Sequence, residues 1–227
     1  AAAVAEVSAG NGIRTLLSDR AAPTPVLSHN LVARGAGGGA VITASHNPAQ
    51  WNGFKYKPEY AGSASPEVVK QLEDRIDAVQ RAGPVPAKRP ARASIERIDA
   101  IALYLAHVSK LVDVQAIKEV PFHVVVDSMY GAGMGLFSSL LSGGRLRVTE
   151  IHGERNPAFP GFAQPEPITN NLAALAEAIR AHKADVGLAT DGDADRLGVM
   201  DERGKFVTQL QTMALLALYF LDQLGER

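Results

Sequence analysis

Two short stretches concentrate the side chains that could do chemistry. The first is Thr43-Ala44-Ser45-His46-Asn47-Pro48, which sets a hydroxyl beside an imidazole in one turn after a short apolar run. A serine next to a histidine offers a nucleophile with an acid or base at hand. The same residues, rich in Ser, Asn and Pro, also make an ordinary turn. His46 alone does not define a metal site, because no second histidine falls at ligand spacing. The second stretch is Asp191-Gly192-Asp193-Ala194-Asp195-Arg196, with carboxylates at alternate positions. Such charges repel one another unless they are fully solvated or gathered on a hard cation, which favours oxygen ligands. Apolar flanks at Val186–Ala189 and Leu197–Met200 argue for a loop held between buried strands, and so for the cation. Gly192 is expected to supply the unusual backbone that converges the side chains.

Two near-matches to other motifs fail on context, and a third fits its context but has a simpler reading. Asp191, Asp193, Asp195 and Glu202 fall at ligand positions of a calcium-binding hand loop, but the required glycine is Arg196 and the flanks read as strands. The glycine run Gly35–Gly39 precedes a strand instead of following one, so it is not a dinucleotide-binding turn. The segment Gly131-Ala132-Gly133-Met134-Gly135 does follow a strand and open a helix; tight strand–helix packing explains it better than an anion site. No Walker sequence, HExxH or GxSxG occurs.

The elements that must position these loops alternate between helix and strand. An Ala-rich helix fills residues 1–10, Ile13–Leu17 reads as a strand, and Val26–Arg34 as a helix. The run Ala40–Thr43 is a short buried strand leading into the Ser45 loop. A helix over Pro66–Arg81 shows apolar positions Val68, Val69, Leu72, Ile76 and Val79 at helical spacing, with Ser65 as cap and Pro66 at the first position. Residues 83–92, Pro-rich and basic, read as a link. Beyond it come a helix near Ile95–Leu111, a continuous apolar strand Phe122–Val126 of the buried parallel type, a helix Met134–Leu141 and a strand Leu146–Ile151. A long Pro/Gly loop over 153–170 precedes a helix Asn171–His182, strands Val186–Ala189 and Leu197–Met200, and an apolar helix Leu210–Leu224. Alternation of this kind predicts an α/β protein with mostly parallel sheets in two units, roughly 1–85 and 95–200. Each unit puts its unusual loop after a short buried strand, where α/β sheets bind ligands.

Composition narrows the class. Lys and Arg number 23 against 24 Asp and Glu, a net charge of −1, which excludes nucleic-acid or membrane-surface binding driven by bulk charge. Cysteine is absent, which excludes disulfides, thiolate metal sites and a cysteine nucleophile. The longest apolar run, Met213–Leu221, has nine residues, against the roughly 20 that span a bilayer. The opening AAAVAEVSAGNGIR carries no basic segment leading an apolar core. These features lead to the expectation of a cytoplasmic protein without membrane or nucleic-acid partners. The start itself reads as a helix entered partway, with no capping residue ahead of it.

Taken together, TASHNP (43–48) with NGFKYK (52–57), followed one domain later by DGDADR (191–196), resembles the α-D-phosphohexomutases, the phosphoglucomutase and phosphomannomutase enzymes. PTPVLS (23–28), VVVDSMYGAG (124–133), PEP with NL after it (165–172) and ADVGLATDGDADRLGVMDERG (184–204) extend the likeness along the chain. The resemblance implies successive three-layer α/β/α domains with mixed, mostly parallel sheets around a central cleft. It implies that Ser45 is the phosphorylated serine, and that Asp191, Asp193 and Asp195 hold one Mg²⁺ that also touches Ser45. His46 and Lys55 match the acid/base and phosphate-binding neighbourhood, and Arg196 the phosphate-facing arginine. The implied reaction interconverts hexose 1-phosphate and hexose 6-phosphate through a phosphoserine enzyme and a hexose bisphosphate intermediate. Hexose phosphates would be its partners.

The resemblance also implies what lies outside these residues. Domain 1 would occupy 1–92 without its first Gly-rich segment and strand, domain 2 would occupy 93–203, and 204–227 would open a third domain. The chain would then hold the phosphoryl-transfer half and lack sugar recognition, and would be poorly active alone. Glucose or mannose is the expected sugar, with glucosamine disfavoured. The contrasting reading is a non-catalytic metal- or phosphosugar-binding homologue, or an inactive fragment.

Overall fold

A computed structural model describes residues 1–83 and 95–225. They divide into two compact units, one of Ala1–Thr43 with Gly53–His107, the other of Ala44–Asn52 with Val108–Arg227. The expected link over 83–92 lies, beyond Gly83, outside the described residues.

The first unit is built from α1 (Ala2–Gly10), β1 (Thr15–Ser18), α2 (Thr24–Ala33), β2 (Gly38–Ile42), β3 (Phe54–Pro58), α3 (Pro66–Ala82), β4 (Ile95–Ile98) and the start of α4 (Ala100–Leu111). β1 pairs in parallel with β4, and β2 pairs antiparallel with β3 so that Val41 faces Lys55. β2 begins two residues before the expected Ala40, at Gly38 within the glycine run, and ends at Ile42. Gly39 lies against the Leu31 and Leu27 side chains, where an added Cβ would come within 3.2–3.3 Å, so the missing side chain lets strand and helix approach. Asn30, buried in α2, donates from Nδ2 to the Val26 and Ala100 carbonyls at 2.9 and 2.8 Å. α3 has the expected cap, with Ser65 Oγ accepting from Val68 N. Its apolar stripe is not a buried face, however: Val69, Ile76 and Val79 are exposed.

The helix expected from Ile95 is corrected at its start. Residues Ile95–Ile98 form β4, and α4 begins at Ala100. Asp99 Oδ1 accepts from the Ile101 and Ala102 backbone amides, both at 3.0 Å, which fixes the helix N-terminus there. Ile95 and Ile98, three apart and half-buried, imitate a helical period.

The second unit contains α5 (Val114–Glu119), β5 (His123–Asp127), α6 (Leu136–Leu141), β6 (Arg147–Ile151), α7 (Ala173–His182), β7 (Val186–Thr190), β8 (Leu197–Met200), β9 (Phe206–Val207) and α8 (Gln209–Leu218). Its sheet runs β6-β5-β7-β8-β9, with β6, β5 and β7 parallel and β8 and β9 antiparallel. Every residue of β5 is buried, as its unbroken apolar run requires of a central strand. Alternation within β5 feeds two cores. Val125 packs with Leu172, Leu175, Ile179 and Met200 on the α7 side, while Val124 and Val126 pack with Val114, Leu141 and Leu146 on the other. The result is helix, sheet, helix. Full burial of Leu175 and Ile179 stabilises the α7 layer by about 2 kcal/mol each. α8 is closed at its N-terminus by a capping box between Thr208 and Gln211, and its apolar side chains Leu210, Met213 and Leu215 are exposed. Among the described residues no helix is long and apolar enough to cross a membrane.

Candidate active site

β7 ends at Thr190, and the carboxylate loop starts at the next residue, at the carboxyl end of the parallel strands. Asp191 is completely buried and organises its own loop. Its Oδ1 accepts from Asp195 N at 3.0 Å and Arg196 N at 3.2 Å, and its carbonyl accepts from Ala194 N at 3.1 Å. One oxygen from each of Asp191, Asp193 and Asp195 lies within 4.8 Å of the other two. Asp193 is buried and Asp195 exposed. Burial pushes the Asp191 carboxyl up to about 6. The nearby Asp193 charge, and to a lesser degree that of Asp195, adds to the rise, while amide hydrogen bonds oppose it. A donor set of crowded, partly desolvated carboxylate oxygens fits a small hard cation.

Ser45 stands against this loop. Its Oγ is 3.4 Å from Asp191 Oδ2 and 3.2 Å from His46 Nδ1. Ser45 is held at φ 56°, a left-handed conformation that costs an ordinary residue about 1 kcal/mol and tends to persist where the surroundings enforce it. Gly192 is what the loop needs here, though for a different reason than expected. Its φ is not positive; a Cβ on it would run into the Ser45 carbonyl oxygen, with Pro165 Cγ 3.2 Å away. The left-handed residue of the loop is Ala194, at φ 52°. Gly131 makes a second close approach, since its Cβ would lie 2.8 Å from the Asp191 carbonyl oxygen, and Ala132 N donates to the Gly192 carbonyl. The glycines after β5 therefore brace the carboxylate loop.

One residue of this cluster has no role that its sequence context assigns. Glu166 Oε1 accepts from Arg196 Nη1 at 2.6 Å and lies 3.9 Å from His46 Nε2. The signal in the sequence is a carboxylate locked between two prolines in a long loop. Of the expected site residues, Ser45, His46, Asp191, Asp193, Asp195 and Arg196 thus come together in the second unit. Lys55 belongs to the first unit, half-buried on β3 opposite Val41.

A separate pair lies at the ends of β5 and β6. His152 Nδ1 bonds Asp127 Oδ1 at 2.9 Å, Met129 N donates to the same oxygen, and Tyr130 and Phe162 ring the imidazole. Burial raises the Asp127 carboxyl, and its hydrogen bond with His152 opposes the rise.

A mixed sheet between helix layers, with a serine loop packed on an acidic loop at the strand ends, defines an α/β/α domain with its unusual residues where such sheets bind ligands. Family models described as phosphoglucomutase/phosphomannomutase, alpha/beta/alpha domains I and II, match residues 1–82 and 102–204. The chain belongs to the α-D-phosphohexomutase family. It is 36% identical over 207 residues to a phosphoglucomutase/phosphomannomutase of Thermococcus kodakarensis, covering 90% of this chain and 44% of that one. It is 35% identical over 223 residues to a phosphoglucosamine mutase of Clavibacter michiganensis subsp. michiganensis, covering 96% and 48%. The crystal structure of a protein assigned as a phosphomannomutase from Thermus thermophilus superimposes with a TM-score of 0.83 at 33% identity, covering 95% of this chain and 48% of that one. The chain therefore spans less than half the length of these relatives. Relatives named for different sugars stand at nearly equal identity, so overall similarity does not rank glucose, mannose and glucosamine.

Proposed function

We propose that the chain carries the phosphoryl-transfer half of a mutase that interconverts hexose 1- and 6-phosphates. The supporting observation is the approach of Ser45 Oγ to Asp191 Oδ2 within the three-carboxylate cluster. Ser45 is the residue that carries the phosphoryl group. A hydroxyl oxygen of the hexose phosphate attacks phosphorus as the P–Oγ bond breaks, the hydroxyl proton passes to His46 or Lys55, and Ser45 Oγ keeps the bonding pair and takes up a proton to return to the hydroxyl. The product is a hexose bisphosphate. After it turns over, the other phosphoryl group returns to Ser45 by the reverse step. Arg196 supplies charge to the phosphate oxygens. Asp191, Asp193, Asp195 and the Ser45 phosphate would hold Mg²⁺, for which their oxygens are a suitable set. When bound, the ion would draw charge from the transferring group.

On this reading residues 1–92 bear the phosphoserine, 93–203 the metal, and 204–227 open a further domain. Hexose phosphates are the partners, and the location that goes with them is the cytoplasm. The test is turnover by the whole protein on glucose, mannose and glucosamine 1-phosphates, beside Ser45→Ala. A loss of several orders of magnitude in that variant is expected; normal turnover would refute the reading.

A further inference from the structure

A carboxylate is an unexpected neighbour for groups that must receive phosphate, because it repels the same charge they attract. Glu166 is nevertheless built in firmly. Pro165 and Pro167 flank it and are both buried. The Pro165 carbonyl accepts from Gly192 N, Pro165 Cγ covers Gly192, and Pro167 packs against Gly198. The Glu166 carbonyl accepts from Asn171 Nδ2 at 2.8 Å, and Oε2 accepts from Gln164 Nε2 at 2.6 Å. Backbone and one carboxylate oxygen are thereby fixed, which leaves Oε1 facing Arg196 and His46.

Resting on the proposed function, we propose that Glu166 is a positioning residue of the phosphoryl-transfer site, fixing where Arg196 and His46 stand relative to Ser45. A guanidinium pinned by a carboxylate has lost its rotamer freedom before substrate arrives, so phosphate meets a charge already in place. The 3.9 Å approach to His46 Nε2 is longer than a hydrogen bond and favours the ring orientation that turns Nε2 toward the carboxylate. That preference leaves Nδ1 toward Ser45 Oγ at 3.2 Å. Carboxylates behind a working imidazole commonly fix its orientation in this way. The carboxylate's repulsion of phosphate is offset by the Arg196 charge it holds.

The test uses the whole protein with Glu166→Gln, which keeps the shape and removes the charge, together with Glu166→Asp, Arg196→Gln and the Glu166→Gln/Arg196→Gln pair. Glu166→Gln is expected to lower kcat about tenfold or more while KM for the hexose phosphate, the melting temperature and its rise with Mg²⁺ stay near wild type. Glu166→Asp should recover part of the rate. In the Arg196→Gln background the same change should cost clearly less, because one partner is already gone. A wild-type kcat for Glu166→Gln, a rate loss that merely follows a fall in melting temperature, or full additivity with Arg196→Gln would overturn the proposal. Turnover by Ser45→Ala in the same series would instead bring down the underlying reading, so the two failures are told apart.

Discussion

Ser45 Oγ lies 3.4 Å from Asp191 Oδ2 although 146 positions separate the two residues in sequence. The approach rests on backbone as much as on side chains, since the Ser45 carbonyl packs directly over the Cα of Gly192. Gly192→Ala should therefore separate the two loops. A stability loss of about 1–3 kcal/mol and a fall of at least about tenfold in phosphoryl transfer are expected. Gly37→Ala, where a Cβ would meet nothing within 4 Å, serves as the reference and should leave the melting temperature unchanged.

The Asp191 carboxyl, raised to about 6, makes a prediction for the metal-free protein. A raised carboxyl means that the folded state binds the proton more tightly than the unfolded chain. Stability from this group is therefore present below about pH 4 and is lost as pH rises to about 6, where the charge must be borne among two others. Asp191→Asn should raise the neutral-pH melting temperature of the metal-free protein, by on the order of 1–2 kcal/mol in stability, and abolish its increase on adding Mg²⁺. Thermal melts at neutral and mildly acidic pH, with and without Mg²⁺, check both; a drop in melting temperature for the metal-free variant would contradict the account.

His152 is expected to matter for stability through Asp127. Asp127 is completely buried, and its Oδ1 takes the His152 and Met129 hydrogen bonds. His152→Ala leaves that buried carboxylate with one bond fewer and should cost about 1–3 kcal/mol. Chemical denaturation measures it, and an unchanged midpoint would show that the pair carries no stability.

Much of this is readable in the sequence where chemistry and pattern coincide. The carboxylate triplet of Asp191, Asp193 and Asp195 announces itself by spacing, and the unbroken apolar run of β5 announces a central strand. What stays hidden depends on partners far away in sequence. β4 reads as helix because Ile95 and Ile98 stand at helical spacing, and only pairing with β1 and the Asp99 cap show where the strand ends and the helix begins. β3 is absent from the strands expected on the sequence, since the alternation of lysines with aromatics over Phe54–Pro58 becomes a strand only beside β2. Gly192 suggests a left-handed backbone, whereas its near neighbour Ala194 adopts one and Gly192 answers a contact with Ser45. Glu166 carries no motif of its own, and its relation to Arg196 exists only once the long loop folds onto the end of β7.

In the first unit, Asn30 joins α2 to the start of α4 through its bond to the Ala100 carbonyl. Asn30→Ala removes both donors from a buried side chain and should destabilise that unit by about 1–3 kcal/mol. Hydrogen exchange should show the loss at α2 and around Ala100; protection unchanged there would contradict the assignment.

The central claim is that Ser45 carries the phosphoryl group in transit. The most direct measurement is intact-mass analysis with peptide mapping after the whole protein meets hexose 1,6-bisphosphate and Mg²⁺, followed by excess hexose 6-phosphate. The account predicts a single phosphoryl adduct on Ser45 that disappears as hexose bisphosphate is regenerated, and no adduct in Ser45→Ala. An adduct on another residue, or one on Ser45 that hexose phosphate fails to discharge, would contradict it.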